Sequence, residues 1–168
     1  MPSPLKQSGL RLVQAKRPFS IDTTLFKRAE RQGSLFEDSW LVVLASVPDL
    51  PDNTFVDLIR CAEPALIFDL RLAPRFDFGT LNRERAFRLF EHVKATYVDA
   101  TTPLMTGTNK EEVIRQLVER IASDGINVRR PVVFLLGRTE SSLASEGEIL
   151  SILGHMGRRL DVVNIPSV

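Results

Sequence analysis

Charged residues that follow short apolar runs are the first candidates for chemistry in this sequence. Asp69 ends one such run, and the Pro-containing loop after it carries Arg71 and Arg75. A guanidinium group matches the geometry of carboxylate and phosphate oxygens, so this loop predicts an anion-binding site. Asp99 and Arg138 follow two other apolar runs, and we expect them at the same site.

The same charges allow a structural interpretation. Asp69 can pair with Arg71 or Arg75 and brace the loop, in which case the pair serves the fold and not a ligand. The sequence favours this ion pair, and the anion site is the alternative hypothesis.

An enzyme is a further alternative. Glu140 and Glu146 follow the fourth predicted strand, and with Asp69 they could assist a hydrolase or transferase that acts on nucleotides or nucleosides. Ser145 and Glu148, however, have the spacing of a helix capping box, and the helix dipole alone favours acidic residues in a first turn. The capping interpretation is the stronger one, so the sequence assigns no catalytic residue.

The usual motifs of catalysis and cofactor binding are missing from the sequence. No P-loop, no Gly-x-Gly-x-x-Gly fingerprint and no Gly-x-Ser-x-Gly elbow is present. Cys61 is the only cysteine, and neither His92 nor His155 has a partner at metal-ligand spacing. We therefore expect no cofactor, no metal site and no internal disulfide.

The candidate residues are positioned by an alternation of strands and helices that begins near residue 40. Apolar runs without polar alternation are typical of parallel strands that are covered on both faces. The predicted strands cover residues 40–45, 65–69, 96–99, 132–136 and 160–165.

Between these strands, apolar residues recur at the three- and four-residue spacing of helices. The first predicted helix contains residues 55–62, and the second covers residues 82–94. The third has the strongest signals, a capping box of Thr108 and Glu111 and a left-handed C-cap at Gly125. The fourth begins at the capping box already described.

The order βαβαβαβαβ predicts an α/β fold. We expect a three-layer sandwich of about five mostly parallel strands with helices on both faces, built from Rossmann-like βαβ units. Residues 39–168 are assigned to this domain. Residues 1–38 are a basic N-terminal extension, with seven Lys/Arg against four Asp/Glu, in which residues 22–32 have the spacing of one helix. Packing of the extension across the domain is favoured over a partner-binding arm.

One motif carries a resemblance to a known family. Asp69-x-Arg71-x-x-Pro74 ends a strand and is followed by a helix and a short Tyr-containing strand. In this motif and in the order of its elements over about residues 55–163, the chain resembles the bacterial domain-of-unknown-function family number 488. The resemblance implies an α/β fold. Members of that family often carry a cysteine and a later Cys-His pair after the fourth strand, whereas this chain has Gly137 and no later cysteine, so thiol chemistry is not expected.

Composition and charge limit the class of protein, its expected location and its expected partners. A content of 43% hydrophobic and 26% charged residues is ordinary for a globular domain. No apolar run reaches the roughly 20 residues of a membrane span, and the first residues lack a secretory signal, so we expect a cytoplasmic protein without a membrane partner. The seven Lys/Arg of residues 1–38 are spread too widely for a nucleic-acid footprint, so nucleic acid is not expected as a partner.

The leading hypothesis is a non-catalytic α/β interaction or anion-binding module. It recognises a partner protein or a small anionic ligand at the carboxyl rim, the set of charged residues that follows the strands: Asp69, Arg71, Arg75, Asp99 and Arg138. The nucleotide-processing enzyme is the alternative. A third possibility is a homo-oligomer in which the extension completes a neighbouring copy.

Overall fold

The computed structural model describes residues 11–14, 39–47, 50, 52–77, 79–101, 109, 111–112, 114–115, 119, 130–138, 142–155 and 159–165. Its strands are β1 (Arg11–Gln14), β2 (Ser39–Ser46), β3 (Leu66–Asp69), β4 (Thr96–Asp99), β5 (Val132–Leu136) and β6 (Arg159–Ile165). Three helices have full bounds, namely α1 (Asp52–Ala62), α2 (Arg83–His92) and α3 (Glu146–His155). Each predicted strand and three of the four predicted helices are thereby confirmed.

The described strands form one sheet in the order β1-β6-β2-β5-β3-β4, and every pair in it is parallel. Val42 lies opposite Val132 of β5 on one side and Val162 of β6 on the other, so β2 is central. The sheet has six strands instead of about five. The sequence could not show this order, because parallel strands joined by helices need not follow one another in space.

Helices pack on both faces of the sheet, as the sequence predicted. On the first face, β2 contributes Val43 and Ala45 to a buried cluster that also contains residues of α1 and α2. On the second face, Val42 and Leu44 belong to a cluster with residues of α3. Successive strand residues point to opposite faces, so a run that is apolar at every position fits a sheet covered on both sides. The fold is a three-layer α/β sandwich.

The sixth strand comes from the predicted extension. Residues of β1 pair in parallel with β6, from Arg11 opposite Asp161 to Gln14 opposite Asn164. Arg11-Leu-Val-Gln14 is too short to show a periodicity, so the sequence does not predict this strand. The helix expected at residues 22–32 lies outside the described residues.

The third predicted helix is described only in part. Residues 111–112, 114–115 and 119 are helical, and Ile114 is buried in the cluster on the second face. The backbone N–H of Glu111 donates to Asn109 Oδ1 over 3.1 Å, a cap of the kind that begins helices. Thr108 and Gly125, which were expected to cap this helix, lie outside the described residues.

The capping box before α3 is confirmed. Ser145 Oγ accepts from the N–H of Glu148 over 3.3 Å, while Glu148 Oε2 accepts from the N–H of Ser145 over 2.6 Å. Asn82 caps α2 in a related way, because its Oδ1 accepts from the N–H of Arg85 over 2.9 Å. These local hydrogen bonds determine the residues at which α2 and α3 begin.

The amino end of the sheet is closed by Arg130, which lies just before β5. Its guanidinium donates to the carbonyl oxygens of Glu63 and Pro64 after α1, each over 2.8 Å. It also donates to Val93 and Lys94 after α2, over 2.5 and 3.3 Å. One side chain therefore joins the segments that follow α1 and α2.

The chain leaves β3 and β5 in opposite directions. From β3 it continues outward to β4, and from β5 it passes back across β2 to β6. The carboxyl ends of β3 and β5 therefore form a topological switch point, the place where open α/β sheets bind ligands. Asp69 ends β3 and Arg138 lies two residues beyond β5, so the predicted rim residues flank this point.

Candidate functional site

Asp69 is the centre of the carboxyl rim and is fully buried. Its Oδ1 accepts from the backbone N–H of Arg71 over 3.2 Å and from Arg71 Nε over 2.8 Å. Its Oδ2 accepts from Arg71 Nη2 over 2.5 Å and from the phenol of Tyr97 over 2.9 Å. Four donors thus occupy the carboxylate, and the structural ion pair that the sequence favoured is present.

Arg71 links this carboxylate to the loop that follows. Only 6% of the residue is exposed, and its guanidinium lies over the ring of Phe76, 4.7 Å from the centroid. Nη1 donates to the backbone carbonyl of Arg75 over 2.6 Å. The side chain therefore binds the chain at residue 69 and again at residue 75, so it closes the loop between them.

Tyr97 of β4 is the third member of the network. Burial is the main cause that raises the pKa of its phenol far above the ordinary value, and the nearby Asp69 carboxylate raises it further. The ring stacks on Phe90 of α2, with centroids 5.5 Å apart, and contacts Phe76 and Phe87 edge-on. The phenol is therefore held as a neutral donor to Asp69.

The loop after β5 is joined to the same structure. Leu70 donates its N–H to the carbonyl of Leu135 over 2.9 Å, and its own carbonyl accepts from the N–H of Leu143 over 2.7 Å. Arg71 and Ser142 form an isolated antiparallel bridge. The two loops at the switch point are thus hydrogen-bonded to each other as well as to their strands.

The remaining rim residues lie closer to solvent. Arg75 is exposed, and within the described part of the chain its guanidinium forms neither a hydrogen bond nor an ion pair. Arg138 is exposed beyond the end of β5. Asp99 lies opposite Asp69 in the β3–β4 register and is half-buried, and its Oδ1 accepts from the N–H and hydroxyl of Thr101.

The structure therefore separates the predicted site into two groups. Asp69 and Arg71 form a buried brace, which favours a positioning role for them over direct contact with a ligand. Arg75 and Arg138 present cationic groups at the surface, and Asp99 lies beside the brace on β4.

The candidate catalytic acids do not assemble in the described residues. All four hydrogen bonds to Asp69 would have to be replaced before its carboxylate could act on a substrate. Glu146 is the first residue of α3, where the helix dipole favours an acidic side chain. Glu140 lies outside the described residues.

The residues that the structure describes contain neither a candidate metal site nor a helix that could span a membrane. No group of three His, Cys, Asp or Glu residues there is arranged to hold a metal ion. None of the described helices is both long enough and apolar enough to pass through a membrane. Cys61, the only cysteine in the sequence, lies on α1 and is partly exposed.

Sequence reasoning did not anticipate the role of Tyr97. The residue lies opposite Ile67 in the β3–β4 register, one pleat before Asp69, so it is a diagonal neighbour of that carboxylate. This contact between Tyr97 and Asp69 can be predicted only once β3 and β4 are known to be adjacent. The bridge between Ser142 and Arg71 likewise depends on the neighbouring positions of β3 and β5.

Comparison with known proteins yields no relative from which a function could be transferred. No protein-family model matches the chain. Searches of curated proteins and of solved structures likewise give no match. The resemblance to family 488, based on the Asp69-x-Arg71-x-x-Pro74 motif, stays a prediction.

Proposed function

We propose that this domain is a non-catalytic module that recognises an anionic group, on a small ligand or on a partner protein, at the carboxyl rim. The supporting observation is the brace: a buried ion pair closes a loop and binds the backbone at Arg75, whose guanidinium is exposed. A buried ion pair contributes little net stability compared with apolar packing, so its use here is to fix geometry.

The position of this loop supports the proposal. It lies at the switch point between β3 and β5, and open α/β sheets generally bind their ligands at such a point. Arg75 comes from the loop after β3 and Arg138 from the loop after β5, so cations flank this point from both sides. Guanidinium groups form paired hydrogen bonds to carboxylate and phosphate oxygens, which makes an anion the matching ligand class.

The experiment is a binding titration with three probes: inorganic phosphate, citrate and a hexaglutamate peptide. We expect at least one probe to bind wild type. Its affinity should fall about tenfold in each of Arg75→Ala and Arg138→Ala, the loss of a hydrogen bond to a charged group. Arg60→Ala is the matched control, because Arg60 is an exposed arginine in the last turn of α1, and it should change nothing.

The probes also distinguish the two sources of the anion. Binding of phosphate or citrate indicates a small ligand, and binding of the peptide alone indicates a partner protein. Failure of all three probes, or equal affinities in wild type and both rim variants, contradicts the proposal. None of the described contacts favours the alternative of a nucleotide-processing enzyme, for which the test is turnover of a nucleotide and nucleoside panel.

A further inference from the structure

Leu72 lies at the tip of the braced loop and is 54% exposed. Among the described residues it is the only large hydrophobic residue with an exposed side chain. A single exposed leucine is ordinary on a protein surface, so exposure alone indicates nothing. Two further observations point to a binding role for Leu72: the hydrogen bonds that hold its loop and the charges beside it.

The loop holds Leu72 in place from both sides. On one side, Arg71 is bound to Asp69, to the Ser142 bridge and to the ring of Phe76. On the other side, the carbonyl of Arg75 accepts from Arg71 Nη1 over 2.6 Å. An apolar group that is already ordered loses little conformational entropy on binding, which is how preorganised surfaces gain affinity.

The charges around Leu72 specify the chemistry of its partner. Ala73 is exposed beside it, and the exposed Arg75 follows within three residues of Leu72. Asp77 is the exposed acid of the same loop, two residues beyond Arg75 and away from the apolar tip in sequence. An apolar anchor next to a cation matches an apolar side chain flanked by carboxylates.

We propose that the tip of this loop, Leu72 to Arg75, is a docking surface for a protein segment in which an apolar residue is flanked by Asp or Glu. This inference rests on the proposed function, and it names a protein as the bearer of the anion. The apolar partner residue packs on Leu72 and Ala73, while a neighbouring carboxylate pairs with Arg75.

The test is selection of random twelve-residue peptides displayed on phage against the wild-type protein. We expect the selected sequences to share an apolar residue next to acidic ones. Affinity of a synthetic selected peptide should fall about tenfold in Leu72→Ser, from the lost burial of a leucine side chain, and about tenfold in Arg75→Ala. Leu72→Met keeps the apolar surface and should retain affinity, as should the control Arg60→Ala.

The variants separate this inference from the proposed function. If Arg75→Ala weakens binding and Leu72→Ser does not, the inference is wrong and the anion-binding proposal stands. If neither variant weakens binding of the selected peptide, the inference is wrong, and the anion-binding proposal is judged by its own titration with phosphate, citrate and hexaglutamate. A selection that enriches no sequence, or sequences without acidic residues, also contradicts the inference. So does a wild-type dimer that Leu72→Ser converts to a monomer, because the partner would then be a second copy.

Leu72 is exposed, so unchanged thermal stability of Leu72→Ser confirms that these losses arise at the surface.

Discussion

The two ends of the sheet each depend on one arginine, and they use it differently. At the amino end, Arg130 donates to four backbone carbonyls in the segments that follow α1 and α2. At the carboxyl rim, Arg71 pairs with a buried carboxylate and binds a single carbonyl of the loop.

The difference lies in what each arginine holds. Arg130 satisfies backbone carbonyls in the two segments that follow α1 and α2, and it thereby joins these segments. Arg71 closes a loop whose exposed residues, Leu72 and Arg75, contribute nothing visible to the core. The arginine at the amino end thus joins two backbone segments, whereas the arginine at the carboxyl rim closes a loop that carries exposed side chains.

The largest expected effect comes from breaking the brace. Arg71→Ala leaves the Asp69 carboxylate buried without its countercharge, and we expect a loss of about 3–5 kcal/mol in the free energy of unfolding, measured by urea denaturation. The double variant Asp69→Asn/Arg71→Met should recover part of this loss, because no unpaired charge remains. Arg75→Ala should stay within about 0.5 kcal/mol of wild type. An equally small effect of Arg71→Ala would contradict the brace.

The amino end should respond less strongly. Arg130→Ala removes the hydrogen bonds to four partly exposed carbonyls, and we expect a loss of about 2 kcal/mol by the same measurement. Arg130→Lys should restore little, because an ammonium group cannot span the ends of two helices as a planar guanidinium does. Full stability in the lysine variant would show that charge at the helix ends, and not the bridging geometry, is what matters.

Tyr97 makes the stability of the carboxyl rim depend on pH. It is the only tyrosine, so its phenolate absorbance reports on the rim alone. Its pKa in the folded state is raised, and the phenol therefore contributes stability that is complete below about pH 10, the unfolded pKa, and is lost as pH rises above it.

In an alkaline titration, we expect the phenolate to appear only together with loss of the far-ultraviolet circular dichroism of the fold. Tyr97→Phe should lower stability by about 1 kcal/mol at neutral pH and remove the optical signal. Ionisation near pH 10 in a protein that stays folded contradicts the bond between this phenol and Asp69.

The smallest expected effect is a gain at the amino end. Lys94 follows α2 with a φ of 55°, and the N–H of the next residue, Ala95, bonds back to the carbonyl of Phe90, as in a Schellman motif. Glycine adopts this conformation without the steric cost that lysine has, so Lys94→Gly should stabilise the protein by about 0.5–1 kcal/mol in urea denaturation. Lys94→Ala is the control, and a similar gain there would contradict this explanation.

The sequence predicted the elements better than their arrangement. Strands β2, β3 and β5 were visible as apolar runs, because a sheet covered on both faces requires apolar residues at successive positions. Strands β4 and β6 were also predicted, although they mix apolar and polar residues. Strand order was not visible, since it depends on which way each crossover turns. The short strand β1 was missed for lack of any pattern over four residues.

In the candidate site, too, contacts between neighbouring residues could be predicted, and contacts between residues distant in sequence could not. Asp69 and Arg71 are two residues apart, so their pairing could be anticipated locally. Tyr97 reaches Asp69 across 28 positions in the sequence, and Arg130 reaches Glu63 across 67, so both contacts depend on the three-dimensional fold. Whether Asp69 would face a ligand or an arginine was a question of burial, which residue types alone could not answer.

The central claim is that the Asp69–Arg71 brace positions Arg75 for anion recognition, and a double-mutant cycle on binding tests it most directly. The affinity of the tightest anionic probe is measured for Asp69→Asn, Arg75→Ala and the double variant, each shown to be folded by circular dichroism. We predict that Asp69→Asn weakens binding about as much as Arg75→Ala, and that the double variant is no weaker than either. Wild-type affinity in folded Asp69→Asn, or losses that simply add, would contradict the account.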